Sequence, residues 1–186
     1  MMIAHLGGQK AIAIDTESNS LFAYQERVCL IQLSSRERDY LLDPFAFDDL
    51  HALGELMADE RVQKIMHAGD YDISTLKRDY DFTFNNVFDT MLAASALGES
   101  SLGLSTLLEK YFGIELAKKY QRANWGERPV KDDMLRYAQA DSHFLIPLRD
   151  YLLPKLEAIG WLELVQEDSN AMAKNTLAMK PHCEDV

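Results

Sequence analysis

The sequence is poor in cysteine and has no long apolar run, and each shortage excludes a class of protein. The two cysteines among 186 residues, Cys29 and Cys183, cannot build a disulfide framework, and neither belongs to a CxxC metal pair. No apolar run approaches the roughly 20 residues that a membrane-spanning helix needs. Residues 1–10 lack the charged start and apolar stretch of a secretory signal. We therefore expect a cytoplasmic protein without a membrane partner.

Positive charge is also scarce. Asp and Glu number 30 and Lys and Arg 19, which gives a formal net charge of −11. Phosphate-binding proteins usually carry a basic surface, so this balance alone disfavours a nucleic-acid partner. A site for divalent cations must itself be rich in carboxylates, however. The placement of the acids therefore matters more than their number.

Length and composition predict one globular domain. Hydrophobic residues make up 47% of the chain and charged residues 26%, which excludes a wholly disordered protein. We expect the domain to span residues 1–173. Residues 174–186 show no periodicity, so we expect a mobile C-terminal tail there.

Apolar patterning predicts strands first and helices later. The expected strands lie at residues 10–15, 28–33, 40–43 and 62–67, with a short fifth at 86–88. The expected helices lie at residues 47–57, 70–78, 89–97 and 104–112, then from 131 to 153 with a kink at Pro147, and from Pro154 to about 173. This order predicts an α/β or α+β domain around one mixed sheet. The conformational freedom of Gly69 allows a tight turn from the fourth strand into the next helix, and Asp89 is expected to cap the helix that it begins.

Acids stand out in three separate segments. Asp15 and Glu17 alternate along the first strand and so point to one face. Asp72 lies in the first turn of the helix after the fourth strand, where the helix dipole also favours an acid. Tyr137 and Asp141 share one face of the long helix. Each pattern alone is common on protein surfaces, but four acids meeting at one end of a sheet favour Mg²⁺ or Mn²⁺.

These motifs resemble the DEDD superfamily of 3′→5′ exonucleases, in the subgroup with a tyrosine in its third motif, and ribonuclease D most closely. The resemblance extends from about residue 11 to residue 160. The three motifs are Ile14-Asp15-Thr16-Glu17, Lys64–Asp72 (KIMHAGDYD) and Tyr137–Asp141 (YAQAD), and the supporting segments are Cys29–Ser34 (CLIQLS), Phe88–Thr90 (FDT) and Trp125–Pro129 (WGERP).

The resemblance implies a fold, a reaction and a partner. The fold is ribonuclease-H-like, a mixed five-stranded sheet flanked by helices. The reaction hydrolyses 3′-terminal phosphodiester bonds and releases nucleoside 5′-monophosphates, with two Mg²⁺ or Mn²⁺ ions per active site. Asp15, Glu17, Asp72 and Asp141 are the implied metal ligands, and Tyr137 orients the attacking water. The implied partner is single-stranded or 3′-end nucleic acid, with RNA favoured over DNA.

Four further residues are predicted to contact the substrate: Thr16, His67, Arg122 and Trp125. Arg122 and Trp125 lie in the one locally basic stretch that also carries aromatic residues, which is typical of single-strand binding. Two alternatives remain open at these positions. Trp125 is alternatively the buried anchor of an ordered loop, and His67 alternatively supports the site from behind.

Two other functions also remain open. A DNA exonuclease of the Werner type shares these motifs. A catalytically silent nucleic-acid-binding scaffold shares the fold, although such proteins usually lose one or more of the acids. Larger ribonuclease D chains carry C-terminal helical nucleic-acid-binding domains, for which this sequence has no room.

Overall fold

The molecule is a five-stranded mixed sheet covered by helices on both faces. The structure is a computed structural model that describes residues 1–178. The strands are β1 Ala11–Ser18, β2 Val28–Ser34, β3 Asp39–Leu42, β4 Gln63–Met66 and β5 Val87–Asp89. The helices are α1 Met2–Gly7, α2 His51–Ala58, α3 Asp70–Tyr80, α4 Thr90–Ala96, α5 Leu104–Phe112, α6 Asp132–His143, α7 Leu145–Ala158 and α8 Leu162–Asn175, with a 3₁₀ helix at Pro44–Ala46.

The sheet has the strand order β3-β2-β1-β4-β5. Strands β1, β2 and β3 pair antiparallel, whereas β4 and β5 run parallel to β1. This agrees with the predicted mixed sheet and its antiparallel start. Strand β1 is therefore central, and its C-terminal end extends past the last β4 pairing at Ala13. Beyond Ala13, β2 is the only described strand that still pairs with β1, and the residues from Asp15 to Ser18 are partly buried.

The two faces of the sheet are covered by different helices. Side chains of β1 and β2 such as Ile12 and Ile31 pack against α2 and α3 on one face. The other face is covered by α6 and α7, and Phe88 of β5 joins a second cluster with α4, α5, α7 and α8. Every residue of β2 is buried, which is typical of a strand covered on both sides. The centre of the sheet is thus a rigid support for groups at its edge.

The turn from β4 into α3 differs from its predicted form. We expected Gly69 to supply an unusual backbone conformation, but its φ is −76°, and Ala68 is the residue with positive φ, at 54°. Gly69 is needed for space instead. A Cβ built there lies 2.7 Å from Met66 Cβ. The Gly69 amide also donates to Asp89 Oδ2 at 2.8 Å, which ties the turn to the end of β5.

Substitution of Gly69 by alanine is expected to destabilise the fold by about 1–3 kcal/mol, because the added methyl group overlaps backbone-linked atoms that cannot move away freely. Gly103→Ala is the matched control. The Cβ there meets only Thr106 Oγ1 at 3.8 Å, and the φ of −64° suits any residue. Urea denaturation of both variants measures the difference, and an equal effect at the two positions would contradict the steric explanation.

The C-terminal helices divide at other places than predicted. The long helix expected over residues 131–153 is two helices, because α6 ends at His143 and α7 begins at Leu145, with Phe144 between them. Pro147 has no amide to donate to the His143 carbonyl and its ring crowds that group, so the break comes before the proline rather than at it. Pro154 does not separate two helices either. It lies inside α7, and the chain turns at Gly160, whose φ is 73°.

Both ends of the described chain add detail to the predicted domain. Helix α1 was not predicted, and it buries Leu6 against the core. Helix α8 continues to Asn175, two residues past the expected end of the domain at residue 173. Most of the predicted tail, residues 179–186, lies outside the described residues. Over residues 1–178 no helix is long and apolar enough to cross a membrane.

Candidate active site

Three carboxylates converge at the C-terminal end of β1. Asp15 and Glu17 come from β1 itself, and Asp141 comes from α6, which packs across β1 and β2. One oxygen from each of these side chains lies within 4.8 Å of the others. The alternation of a strand directs both β1 acids toward α6, as the sequence predicted. The three side chains are partly buried, so they do not form an ordinary solvated acidic patch.

The fourth predicted acid lies beside this group rather than within it. Asp72 is a buried residue in the first turn of α3. Thr16, between the two β1 acids, donates its hydroxyl proton to Asp72 Oδ1. This contact links α3 to β1 on the side opposite α6. The structure therefore brings all four predicted acids to one end of the sheet, with Thr16 as the connection.

Gln32 supports the carboxylate of Asp15 from the neighbouring strand. The two residues are partners in the β1–β2 register, and Gln32 Nε2 donates to Asp15 Oδ2 at 3.3 Å. Gln32 is fully buried, and its Oε1 atom has no hydrogen-bond partner among the described residues. We did not predict a role for Gln32. The available signal was a polar residue inside the apolar run VCLIQL.

Burial and mutual repulsion raise the pKa values of the clustered acids. Burial raises the pKa of Asp15 well above its usual range, and the charges of Asp72, Asp141 and Glu17 raise it further. Burial, followed by the charges of Asp141 and Asp72, raises the pKa of Glu17 to about 9. Burial also raises the pKa of Asp141 to about 7, and that of Asp72 to about 7 against its hydrogen bond from Thr16. The cluster favours a bound positive charge.

Tyr137 lies one helical turn before Asp141 on α6. Its ring packs between two other aromatic residues, with centroid distances of 6.1 Å to Trp125 and 5.8 Å to Tyr120. Burial raises the pKa of Tyr137 above its usual value, and the charge of Asp141 adds to the rise. The phenol therefore stays protonated at neutral pH. It is able to hold and orient a water molecule but is a poor proton acceptor.

The donor set fits a hard divalent cation. The converging atoms of Asp15, Glu17 and Asp141 are all carboxylate oxygens, which Mg²⁺, Mn²⁺ and Ca²⁺ prefer over nitrogen or sulfur. Their raised pKa values show that the three charges lack protein cations to neutralise them. Residues that repel one another in this way, yet converge, are suited to a metal ion.

The loop between α5 and α6 forms a cavity next to the acids. The cavity has a volume of about 420 Å³ and shares Tyr137 and Asp141 with the acidic site. Its walls are mainly apolar. Besides Asp141, its charged side chains are the basic Lys119 and Arg136 and the acidic Glu115 and Asp133, and Lys119 Nζ lies 3.5 Å from Asp133 Oδ2. A space of this kind, with apolar walls and cations beside the acids, suits part of a nucleotide chain.

The predicted substrate residues on this loop have different surroundings. Arg122 is exposed. Trp125 is 2% exposed, packs in a cluster with Cys29, Leu30, Met134 and Ala138, and so agrees with the alternative of a buried anchor. Its indole anchors the loop beneath Tyr137. The buried Trp125 ring packs against one side of the Tyr137 ring, so Trp125 helps to position Tyr137 without facing the substrate space.

The other two predicted substrate residues hydrogen-bond within the protein. Thr16 donates to Asp72, as described above. Thr90 Oγ1 donates to the Met66 carbonyl at 3.0 Å, so His67 Nδ1, 2.9 Å from that hydroxyl oxygen, is the donor of the second bond. Burial lowers the pKa of His67, and its imidazole is therefore neutral near pH 7. The ring is held at the end of β4, beside the start of α4.

Comparison with known proteins agrees with this geometry. Residues 1–157 match a family model described as a 3′-5′ exonuclease. The chain belongs to this 3′-5′ exonuclease family. The exosome complex exonuclease RRP6 of Saccharomyces cerevisiae is 38% identical over 174 residues, which cover 93% of this chain and 24% of the yeast protein. The chain thus spans about a quarter of the length of this relative.

Solved structures of exonuclease family members show the same fold. The catalytic core of RRP6 from Trypanosoma brucei superposes with a TM-score of 0.92 at 29% identity, over 98% of this chain and 51% of that one. Ribonuclease D of Escherichia coli superposes with a TM-score of 0.89 at 28% identity, over 96% and 48%. These matches confirm the ribonuclease-H-like fold and the ribonuclease D resemblance. The chain spans about half of each structure.

Proposed function

We propose that this chain is a metal-dependent 3′→5′ exoribonuclease that removes nucleoside 5′-monophosphates from the 3′ end of single-stranded RNA. The observation that carries the proposal is the convergence of Asp15, Glu17 and Asp141 within 4.8 Å, with Asp72 alongside. Membership in the exonuclease family supports the reaction type. A second support is the cavity that adjoins both Tyr137 and Asp141.

Each residue has a distinct role in the proposed mechanism. Asp15, Glu17 and Asp141 would hold one Mg²⁺ or Mn²⁺ ion, and Asp15 and Asp72 a second. When bound, the two ions would supply positive charge at the scissile phosphate and would acidify the attacking water. Tyr137 holds that water with its protonated hydroxyl, because its raised pKa excludes it as a base. Gln32 fixes the direction of the Asp15 carboxylate.

The negative charge of the protein is compatible with an RNA substrate on this proposal. Two divalent cations would add four positive charges where the phosphate must lie. At the adjoining cavity, Arg136 of α6 and Lys119 of the α5–α6 loop are the basic side chains, with Lys119 paired to Asp133, and Arg122 is exposed on the loop. The RNA backbone is thus proposed to approach along the α5–α6 loop.

RNA is favoured over DNA by the relatives. The yeast relative is named as an exosome complex exonuclease, and the Escherichia coli structure is described as an exoribonuclease involved in structured RNA processing. A Werner-type DNA exonuclease is the second candidate, since the same acidic cluster and cavity suit DNA. A silent scaffold is the third, although all four acids and Tyr137 are in place. The cytoplasmic location expected from the sequence belongs to the proposal and is tested by cell fractionation.

The direct test is hydrolysis of matched 5′-labelled single-stranded RNA and DNA oligonucleotides with Mg²⁺ or Mn²⁺. We expect the oligonucleotides to be shortened from the 3′ end into a ladder of products, with release of nucleoside 5′-monophosphates. We expect no products in EDTA. A higher rate on RNA supports the exoribonuclease, and a higher rate on DNA supports the second candidate. Intact oligonucleotides in every lane, from protein shown to be folded, would support the scaffold.

Removal of the two cavity cations, Lys119 of the α5–α6 loop and Arg136 of α6, is expected to weaken RNA binding without abolishing hydrolysis. For the double variant Lys119→Ala, Arg136→Ala we expect KM to rise by about 10-fold and the salt dependence of log KM to fall by about one unit per lost phosphate contact. Arg122→Ala is expected to act in the same direction. Lys10→Ala is the control, since Lys10 is exposed just before β1, at the opposite end of that strand from the acids. An equal effect of Lys10→Ala would exclude a specific path along the loop.

A further inference from the structure

Three of the four metal ligands of the proposed site come from two separate elements, β1 and α6. Asp15 and Glu17 are fixed to each other by β1, the central strand. Tyr137 and Asp141 are carried by α6, a 12-residue helix that ends at His143 and is followed after Phe144 by α7. The way α6 sits on the sheet therefore decides whether the carboxylates meet.

Apolar packing holds the N-terminal half of α6. Met134 and Ala138 are buried in a cluster with Trp125, Cys29 and Leu30. Apolar contacts of this kind keep the helix against the sheet, but they are not directional. A helix held only by them can rotate or slide by small amounts at little cost.

Hydrogen bonds hold the C-terminal half of α6 to the β2–β3 hairpin. Asp39 Oδ2 accepts from Gln139 Nε2 at 2.7 Å and from His143 Nδ1 at 2.9 Å. Ser34 and Ser142 are both buried, and their hydroxyl oxygens lie 2.8 Å apart. Ser34 and Asp39 are partners in the β2–β3 register, so the two contacts arise side by side. We name these five residues the hairpin clamp.

The geometry of the hairpin clamp fixes α6 in rotation as well as in position. Gln139 and His143 are one helical turn apart, and both donate to the same oxygen of Asp39. A rotation of α6 by about 10° would move a side-chain end about 6 Å from the helix axis by about 1 Å, a displacement that can cost about 10²-fold in rate. A single carboxylate that binds residues one turn apart resists this rotation.

The carboxyl group of Asp39 is ionised although its side chain is partly buried. Burial opposes its ionisation, but hydrogen bonds from Gln139, Ser34 and His143 outweigh burial and hold the pKa of Asp39 below its usual range. Its second oxygen, Oδ1, is buried without a hydrogen-bond partner among the described residues. A carboxylate with one buried oxygen that accepts no hydrogen bond is costly for stability. This cost points to a role for Asp39 in positioning its two donors, Gln139 and His143.

We propose that Asp39, through the hairpin clamp, is a positioning residue that sets Asp141 and Tyr137 against Asp15 and Glu17 and so determines metal affinity. The inference rests on the proposed function, because it assumes that these carboxylates hold a metal ion. Asp39 itself does not contact the reacting atoms. It acts by fixing the position and rotation of α6 on the sheet.

The test is calorimetric titration of Mn²⁺ into metal-free protein, together with thermal unfolding in EDTA. For Asp39→Ala we expect Mn²⁺ affinity to fall by about 10- to 100-fold, as for other residues that orient metal ligands. Asp39→Asn keeps an oxygen that can accept both hydrogen bonds, and we expect it to recover most of the affinity. On RNA, kcat is expected to fall more than KM rises, since Lys119 and Arg122 of the α5–α6 loop lie outside α6.

Gln166→Ala is the matched control for stability. Gln166 also makes two side-chain hydrogen bonds, with Gln63 Nε2 and with the Val87 carbonyl, but it lies on α8 away from α6. We expect it to lower Tm and to leave Mn²⁺ affinity within about twofold. If Asp39→Ala lowers Tm and also leaves Mn²⁺ affinity within about twofold, the hairpin clamp is purely structural and the inference is wrong.

Two other outcomes have separate meanings. If the unaltered protein binds no Mn²⁺, the proposed function fails, whatever the variants do. If Asp39→Ala does not fold, Gln139→Leu removes one of the two donors from the helix side and takes its place in the titration. Mn²⁺ affinity in Gln139→Leu within about twofold of that of the unaltered protein would then overturn the inference.

Discussion

Asp15→Asn is expected to lower 3′→5′ hydrolysis by about 10³-fold or more and, in the same protein, to raise stability in EDTA by roughly 2 kcal/mol at pH 8. The two effects have one cause. Asp15 is buried among the charges of Asp72, Asp141 and Glu17, so its ionised form is disfavoured when no cation is bound. An amide keeps the shape and can still accept the hydrogen bond from Gln32. It loses the charge that the reaction needs.

The opposite signs make this prediction specific. Asp132→Asn is the control, since Asp132 is exposed in the first turn of α6 and belongs to no acidic cluster. Loss of its favourable interaction with the helix dipole should cost about 0.5 kcal/mol and leave hydrolysis unchanged. Hydrolysis is followed by single-turnover kinetics and stability by urea denaturation. Destabilisation by Asp15→Asn would show that its charge is already compensated within the protein.

In EDTA, the free energy of unfolding is expected to fall as pH rises between about pH 6.5 and pH 8, by about 2 kcal/mol for each carboxyl that keeps its proton across this window. Glu17, with its pKa raised to about 9, is one such group. The unfolded chain has released these protons already, so unfolding becomes more favourable as pH rises. A raised pKa gives stability below the unfolded value, near pH 4, that is lost as pH rises through the folded value.

The window is chosen to avoid two groups with the opposite trend. Burial lowers the pKa of His67, so its contribution to the pH dependence of stability falls mainly below pH 6.5. Burial also lowers the pKa of Lys64 to about 8, so the stability gained when Lys64 loses its proton comes mainly above pH 8. Saturating Mg²⁺ should remove most of the slope, because a bound cation keeps the carboxylates ionised in the folded state. Glu17→Gln in EDTA should reduce the slope. Equal slopes with Mg²⁺ and with EDTA would mean that the acids do not bind the ion.

Both predictions rely on acids that were visible in the sequence, and the local patterns located them well. Alternation along β1 placed Asp15 and Glu17 on one face, and helical spacing placed Tyr137 and Asp141 together on α6. Asp89 was expected to cap α4, and it accepts from the amides of Met91 and Leu92. Short-range rules sufficed here because each feature depends on residues within about one turn or one strand.

Features that depend on distant contacts were missed or misplaced. Gly69 was expected to serve backbone conformation, whereas the side chain of Met66 makes it necessary. The break between α6 and α7 was placed at Pro147 instead of Phe144. The hairpin clamp joins Asp39, which lies in no motif, to Gln139 and His143, about 100 positions later.

The sequence by itself determined which chemistry the chain can perform, because the kind and spacing of its acids and its tyrosine are local properties. The tertiary structure decided how those groups stand toward one another. It brought Asp141 within 4.8 Å of the β1 acids and placed Asp72 beside them, where it accepts a hydrogen bond from Thr16. It also buried Trp125 in the core. The physical reason is that burial, repulsion and the seating of α6 arise only when segments far apart in the chain pack together.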